Sequence, residues 1–127
     1  MTTVGYSTRV RALFAAPPCA GPLPDGPGER HRGEAGSPEQ GAWVAFEARV
    51  AEGMVIQAVF RAWGCPHVIA ASALVAERLA GRPLAEAAGF DVQALAAELD
   101  LPPAKLGRLL VVQDAATTLA SLSAAGR

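Results

Sequence analysis

Residues 43–63 read WVAFEARVAEGMVIQAVFRAW, and they carry the strongest structural pattern in the sequence. Its first half alternates between apolar and polar residues, which is the pattern of a β-strand with one buried face. The Glu52-Gly53 pair predicts a tight turn, and residues 54–63 predict a second strand. The side chains expected on the buried face are Val44, Phe46, Ala48 and Val50 in the first strand and Ile56, Ala58 and Phe60 in the second. A hairpin with one apolar face needs helices packed against that face.

The residues after the hairpin predict the helices that cover it. Pro66 suits the first position of a helix that runs to about residue 80, with Gly81 as its C-cap. This helix is apolar almost all round, so we expect it to be largely buried. Further helices are predicted over residues 83–88, 91–99 and 104–124, the last with an inward stripe of Leu109, Val112, Ala116 and Leu119.

The residues before the hairpin predict one helix and one long loop. Residues 6–16 have helical apolar spacing, with Ser7 as a candidate N-cap and two prolines after the last turn. Residues 17–41 are rich in Gly and Pro and predict a mobile loop without a core face, with a short edge strand near residues 28–33. The predicted fold is therefore a single α+β domain over residues 1–127: a small antiparallel sheet of about three strands with helices on one face.

The composition of the chain argues against several classes of function. The 127 residues carry a net charge of −1 with a pI near 6.1, which argues against nucleic-acid binding because a nucleic-acid binder needs a basic face. The first residues lack the pattern of a secretion signal, and no apolar run is long enough to span a bilayer. Two cysteines without a secretion signal predict free thiols in a reducing compartment, so we expect a cytoplasmic protein.

Cys65-Pro66-His67 is the first place that could carry chemistry. A thiol at a helix N-terminus meets unpaired N–H groups, which favours the thiolate, the form that ligates iron or carries sulfur. The alternative is that Cys65 simply fills space at the helix start, as many free cysteines do. We expect His67 to be a partly exposed helix residue rather than a metal ligand, although the ligand role stays open.

Two other segments hold candidate residues. Cys19 and His31 in the long loop could ligate a metal, but their spacing matches no known metal motif. The strip Leu101-Pro102-Pro103-Ala104-Lys105 predicts an extended peptide before the last helix, suited either to stopping a helix or to binding a partner. No grouping of nucleophile, base and acid is visible, so we predict that the chain is not an enzyme.

Four segments resemble the U-type iron–sulfur cluster assembly scaffold family, which includes IscU- and NifU-like proteins. The matching residues are Tyr6-Ser7 with Val10; Gly36-Ser37-Pro38-Glu39-Gln40-Gly41, where the family has Gly-x-Pro-x-Cys-Gly-Asp; Phe60-Arg61-Ala62-Trp63-Gly64-Cys65 with Ile69-Ala70-Ala71-Ser72; and Leu99-Asp100-Leu101-Pro102-Pro103-Ala104-Lys105-Leu106, where the family has Leu-Pro-Pro-x-Lys. The resemblance covers most of the chain and implies the family's scaffold fold and a role in cluster assembly.

The resemblance also implies which residues stand at the family's ligand positions. The family holds its cluster with three cysteines, assisted by an aspartate and a histidine, and Cys65 matches one of the cysteines. The other four positions are occupied by Gln40, Ala42, Gly107 and Arg108. The resemblance implies an iron–sulfur cluster or iron as the cofactor; the alternative is that the chain has no cofactor. The implied partners are a cysteine desulfurase and a Hsp70-type chaperone, and the chain could form a homodimer.

Three hypotheses follow from the resemblance and its departures. In the first, the chain takes part in cluster assembly and binds iron or a cluster through Cys65, with His67, Cys19 or His31 as substitutes or with a second copy. In the second, it is a degenerate paralogue that binds a desulfurase or chaperone without a cluster. In the third, Cys65 carries a persulfide.

Overall fold

The computed structural model describes residues 6–125, with the side chains of residues 6–121. Residues 1–5, part of the segment predicted to lack a secretion signal, lie outside the described residues. The α-helices are α1 (Thr8–Ala15), α2 (Pro66–Leu79), α3 (Val92–Glu98) and α4 (Leu106–Ala125), and the strands are β1 (Glu29–Ser37), β2 (Ala42–Ala51) and β3 (Met54–Trp63). Short 3₁₀ helices span Pro38–Gln40, Leu84–Gly89 and Pro103–Lys105. The predicted α+β class is confirmed.

The three strands form one antiparallel sheet in the order β1-β2-β3. Phe46 in the central strand faces Phe60 on one side and Gly33 on the other. The predicted turn between β2 and β3 is confirmed, because Glu52 and Gly53 both have positive φ, 53° and 79°, as a type I′ turn requires.

The predicted buried face of β3 is wrong at Ile56. Arg49 pairs with Gln57 while the next residue, Val50, pairs with Val55, so Ile56 is an extra residue in a bulge. Ile56 is 40% exposed, and Val55 takes its place in the core at 2%. A bulge depends on the partner strand, and the alternation within β3 alone does not show it.

The predicted edge strand exists but is longer than expected. It extends to Ser37, and Gly33 lies directly under α4: a Cβ atom on Gly33 would be 2.2 Å from the backbone nitrogen of Leu119. The loop before the strand also contributes an apolar contact, since Leu23 is only 5% exposed. The expectation that residues 17–41 provide no core face is therefore wrong.

The helices pack on one face of the sheet. α2 contacts β3, α4 contacts β1 and β2, and the two helices contact each other. The predicted burial of α2 is confirmed, as is the inward stripe of α4, whose four members are at most 1% exposed. Ser7 caps α1 by accepting a hydrogen bond from the backbone N–H of Val10 at 3.1 Å. The C-cap of α2 is Ala80 rather than Gly81, which follows it at φ 86°.

The opposite face of the sheet is crossed by residues 19–28, which we call the strap. At one end the carbonyl of Cys19 accepts a hydrogen bond from the backbone N–H of Phe60 at the free edge of β3. At the other end the carbonyl of Pro27 accepts a hydrogen bond from Arg49 at 2.9 Å. The chain thus passes from β3 over the outer face to β1. Within the described residues, no helix is long and apolar enough to cross a membrane.

Candidate functional site

A cavity of about 550 Å³ lies at the end of the sheet where β3 passes into α2. We call it the Cys65 cavity. It is lined by Gly41, Ala62, Trp63, Gly64, Cys65, Ile69 and Arg108. Three separate segments therefore meet here: the loop before β2, the junction of β3 and α2, and the first turn of α4.

Cys65 occupies the position just before α2, as the sequence predicts. Its carbonyl oxygen accepts hydrogen bonds from the backbone N–H groups of Val68 at 3.0 Å and Ile69 at 3.3 Å. Its side chain makes no capping hydrogen bond, and the thiol is half-buried. The thiol is therefore not used to hold the helix and is available to the cavity.

His67 is buried, so the prediction of a partly exposed residue is wrong. It is 2% exposed, and its ring lies 4.8 Å from that of Tyr6, whose segment covers the first turn of α2. Its Nδ1 lies 4.0 Å from the sulfur of Cys65, while its Nε2 has no hydrogen-bond partner within the described residues. Burial lowers the pKa of His67, and the positive charge of Lys105 lowers it further.

Arg108 joins the start of α4 to the loop before β2. Its Nη1 donates a hydrogen bond to the carbonyl of Gly41 at 2.9 Å. Gly41 has φ 89°, a conformation that favours glycine, and it ends the short 3₁₀ helix Pro38–Gln40. Ser37 caps this helix by accepting a hydrogen bond from the backbone N–H of Gln40 at 3.3 Å.

The residues at the remaining family ligand positions do not line the cavity. Gln40 and Gly107 are exposed, and Ala42 is 1% exposed within the main core. Of the five positions, only Cys65 and Arg108 line the cavity. The contributions of Gly41, Trp63 and Ile69 were not predicted, and Trp63 is the most notable because it is 53% exposed for a large aromatic residue.

The structure does not bring Cys19 or His31 to Cys65. Cys19 bonds through its backbone to Phe60 at the edge of β3, and burial together with the charge of Glu77 raises the pKa of its thiol. His31 pairs in the sheet with Ala48, five residues along β2 from Trp43, so it lies roughly 17 Å from the end that holds the cavity. Its Nε2 lies 3.4 Å from a carboxylate oxygen of Glu29.

The strip Leu101–Lys105 is only partly extended. Pro102 has extended backbone, but Pro103–Lys105 forms a 3₁₀ turn that leads into α4. Pro102, Pro103 and Ala104 are exposed, and a shallow cavity of about 260 Å³ adjoins them. The residues lining that cavity are Gln93, Ala96, Ala97, Asp100, Leu101, Pro102, Pro103 and Leu106.

Comparison with known proteins decides the family. The family model for the NifU-like N-terminal domain matches residues 5–121. The chain belongs to this family. The iron–sulfur cluster assembly scaffold proteins IscU of Escherichia coli K12 and of Haemophilus influenzae are 31% and 30% identical to it over 113 residues. These matches cover 88% of this chain and 88% and 90% of the relatives. The chain is thus a member of the iron–sulfur cluster assembly scaffold family.

A mitochondrial relative and two solved structures are also similar to the chain. The iron–sulfur cluster assembly protein 1 of Yarrowia lipolytica is 34% identical over 87% of this chain, which spans 62% of that protein. A candidate scaffold protein for the SUF system from Fervidobacterium islandicum has a TM-score of 0.69 at 12% identity, covering 94% of this chain and 99% of that one. A NifU-like N-terminal protein of Brucella abortus has a TM-score of 0.56 at 16% identity, covering 94% and 86%. These structures share the fold.

The donors in the Cys65 cavity do not fit an iron–sulfur cluster. Clusters are held mainly by thiolates, usually four, with histidine as an occasional substitute. The cavity offers one thiol, and the described part of the chain holds no group of three or more His, Cys, Asp or Glu side chains placed to bind a metal. The cavity also contains a guanidinium, whose fixed positive charge repels metal cations. What the site provides is one available thiol beside one cation.

Proposed function

We propose that the chain acts in iron–sulfur cluster assembly by binding partner proteins, and that a single copy does not hold a cluster in its own cavity. The observation that carries the proposal is the hydrogen bond from Arg108 to Gly41, because it fixes a cation in a cavity that has one thiol. The role is non-catalytic, and we place it in the cytoplasm. In a homodimer, two copies would supply donors together.

The proposed partners are a cysteine desulfurase and a Hsp70-type chaperone. The strip supports an interaction with the chaperone. Pro102, Pro103 and Ala104 are exposed, and the two prolines restrict the backbone there. An extended or turn segment with restricted backbone loses less conformational entropy when it binds. Leu101, Pro102 and Pro103 also line the shallow cavity next to α3, so a partner on the strip would have a surface recess to bind.

The chaperone interaction is tested with the double variant Pro103→Ser/Lys105→Glu. We expect it to weaken binding of a purified Hsp70-type chaperone by about tenfold or more, as loss of a central interface residue does. Two matched controls are Cys65→Ser, which removes the thiol, and Pro22→Ser, which changes an exposed proline in the strap. Both should bind like the native chain in a calorimetric titration. Unchanged binding by the double variant would exclude the strip as the contact.

Persulfide carriage by Cys65 is the second candidate function. The free, half-buried thiol in an open cavity supports it. Incubation with a desulfurase and cysteine, followed by mass spectrometry of peptides, should then show one added sulfur on Cys65 and none on Cys19. A native mass for the Cys65 peptide would remove this candidate without affecting the chaperone interaction.

A further inference from the structure

We propose that the Cys65 cavity is a modification site at which low-molecular-weight disulfides bearing carboxylates form a mixed disulfide with Cys65. This goes beyond the proposed function, because it requires no partner protein and no cluster. It assigns a ligand class to the cavity: a small anionic disulfide, whose carboxylate contacts Arg108 while one of its sulfurs meets the thiol.

The charge of the cavity supports an anionic ligand. Arg108 is its charged lining residue, and no carboxylate pairs with it within the described part of the chain. One of its N–H groups is used on the Gly41 carbonyl, which holds the guanidinium in place and leaves its other donors for a ligand. A guanidinium binds carboxylates through parallel hydrogen bonds, so a carboxylate is the group that it recognises best.

The surroundings of the sulfur support a built site rather than an isolated thiol. His67 is 2% exposed, directs Nδ1 toward the sulfur at 4.0 Å, and leaves Nε2 without a partner in the described residues. Trp63, 53% exposed, supplies an apolar wall for the carbon chain of a ligand. The volume of about 550 Å³ is large enough for a small organic disulfide.

The reaction is thiol–disulfide exchange. The thiolate of Cys65 attacks one sulfur of the ligand, a new S–S bond forms, and the original S–S bond breaks. The sulfur of Cys65 is oxidised, and the leaving sulfur is reduced and departs as a thiolate with the bonding electron pair. The proton of Cys65 passes to solvent, and the leaving thiolate takes up a proton from solvent. The disulfide itself is the oxidant, and the mixed disulfide blocks the thiol of the cavity.

The test compares three disulfides of similar size and different charge on the full chain. They are dithiodipropionate, which is anionic, bis(2-hydroxyethyl) disulfide, which is neutral, and cystamine, which is cationic. Mass spectrometry, at a single pH, measures the rate at which the adduct forms at Cys65. Each rate is divided by that of the same reagent with the chain unfolded in urea, which removes differences in intrinsic reactivity. Both reagents react with the same thiolate of Cys65. The ratio of the rate with the anionic reagent to the rate with the cationic reagent therefore does not depend on the fraction of Cys65 that is ionised.

We expect the normalised rate of the anionic reagent to exceed that of the cationic one at least roughly fivefold, which is the size of effect that a nearby charge produces. Arg108→Gln should bring the ratio close to one, and Arg108→Lys should retain most of it. Arg61→Gln removes an exposed arginine that does not line the cavity and should change little. Cys19 in the same molecule should show no preference for the anionic reagent, because Glu77 lies near it.

Equal normalised rates for the three reagents in the native chain would overturn the proposal, and so would a preference that survives Arg108→Gln. If that variant is poorly folded, ionic strength provides a second measurement on the native chain. Added salt should reduce the preference at Cys65, because salt screens the attraction between Arg108 and the carboxylate. A preference unaffected by salt would also contradict the proposal. None of these outcomes bears on chaperone binding through the strip.

Discussion

At the scale of single residues, Arg108 determines what the site can do. Arg108 stands at a position where the family resemblance implies a cysteine. Its side chain donates a hydrogen bond to the carbonyl of Gly41. A fixed cation attracts anions and repels metal ions. The single available thiol, Cys65, therefore lies in a site suited to anionic sulfur compounds.

His67 gives a prediction for stability against pH. Its pKa is lowered in the folded chain, so between its ordinary value near 6.5 and the folded value the unfolded chain binds more protons. The contribution of His67 to the free energy of unfolding has its full value above pH 6.5 and decreases as the pH falls below 6.5. The contribution has a slope of no more than about 1.4 kcal/mol per pH unit.

Urea unfolding of the native chain and of His67→Phe at pH 7.5 and pH 5.5 measures this contribution. Phenylalanine keeps an aromatic ring against Tyr6 and cannot be protonated. We expect the native chain to lose more stability than the variant on acidification. An equal loss in both proteins would show that His67 does not contribute to the pH dependence.

At the scale of elements, the contact between β1 and α4 explains a strand that the sequence predicts only in part. Its residues, ERHRGEAGS, have little apolar alternation, so their pattern does not indicate a nine-residue strand. The strand forms because the edge of β2 needs a hydrogen-bonding partner and because Gly33 lets the backbone of α4 approach. The hairpin, in contrast, is local: alternation and a two-residue turn are enough to predict it.

Two glycine substitutions test this packing with opposite expected signs. Gly33→Ala should lower the free energy of unfolding by about 1–3 kcal/mol or more, because the new Cβ would overlap the backbone of Leu119. Gly107→Ala should raise it by up to about 1 kcal/mol, because the site is open and alanine favours helix. Both changes are measured by urea denaturation. If Gly33→Ala were neutral, the close approach of α4 to β1 would be incorrect.

At the scale of the whole molecule, the cavity combines segments that are far apart in the sequence. The family resemblance implies that five positions lie near one another; the structure places two of them, Cys65 and Arg108, in one cavity, whereas Gln40, Ala42 and Gly107 do not line it. The burial of His67 and the strap over the outer face were not predicted. Both depend on which segment covers which surface, and neither periodicity nor local turn residues carry that information.

We propose that one copy of the chain does not hold an iron–sulfur cluster in this cavity. The most direct measurement is anaerobic reconstitution with iron and sulfide, followed by absorbance and iron analysis of the native chain and of Gln40→Cys/Arg108→Cys. We expect no visible chromophore and no stoichiometric iron for the native chain. We expect bound iron for the variant, because it removes the cation and places cysteines at two more of the family's ligand positions, one of them next to the lining residue Gly41. A native chain that retains stoichiometric iron with a visible cluster spectrum as a monomer would show that one copy does hold a cluster.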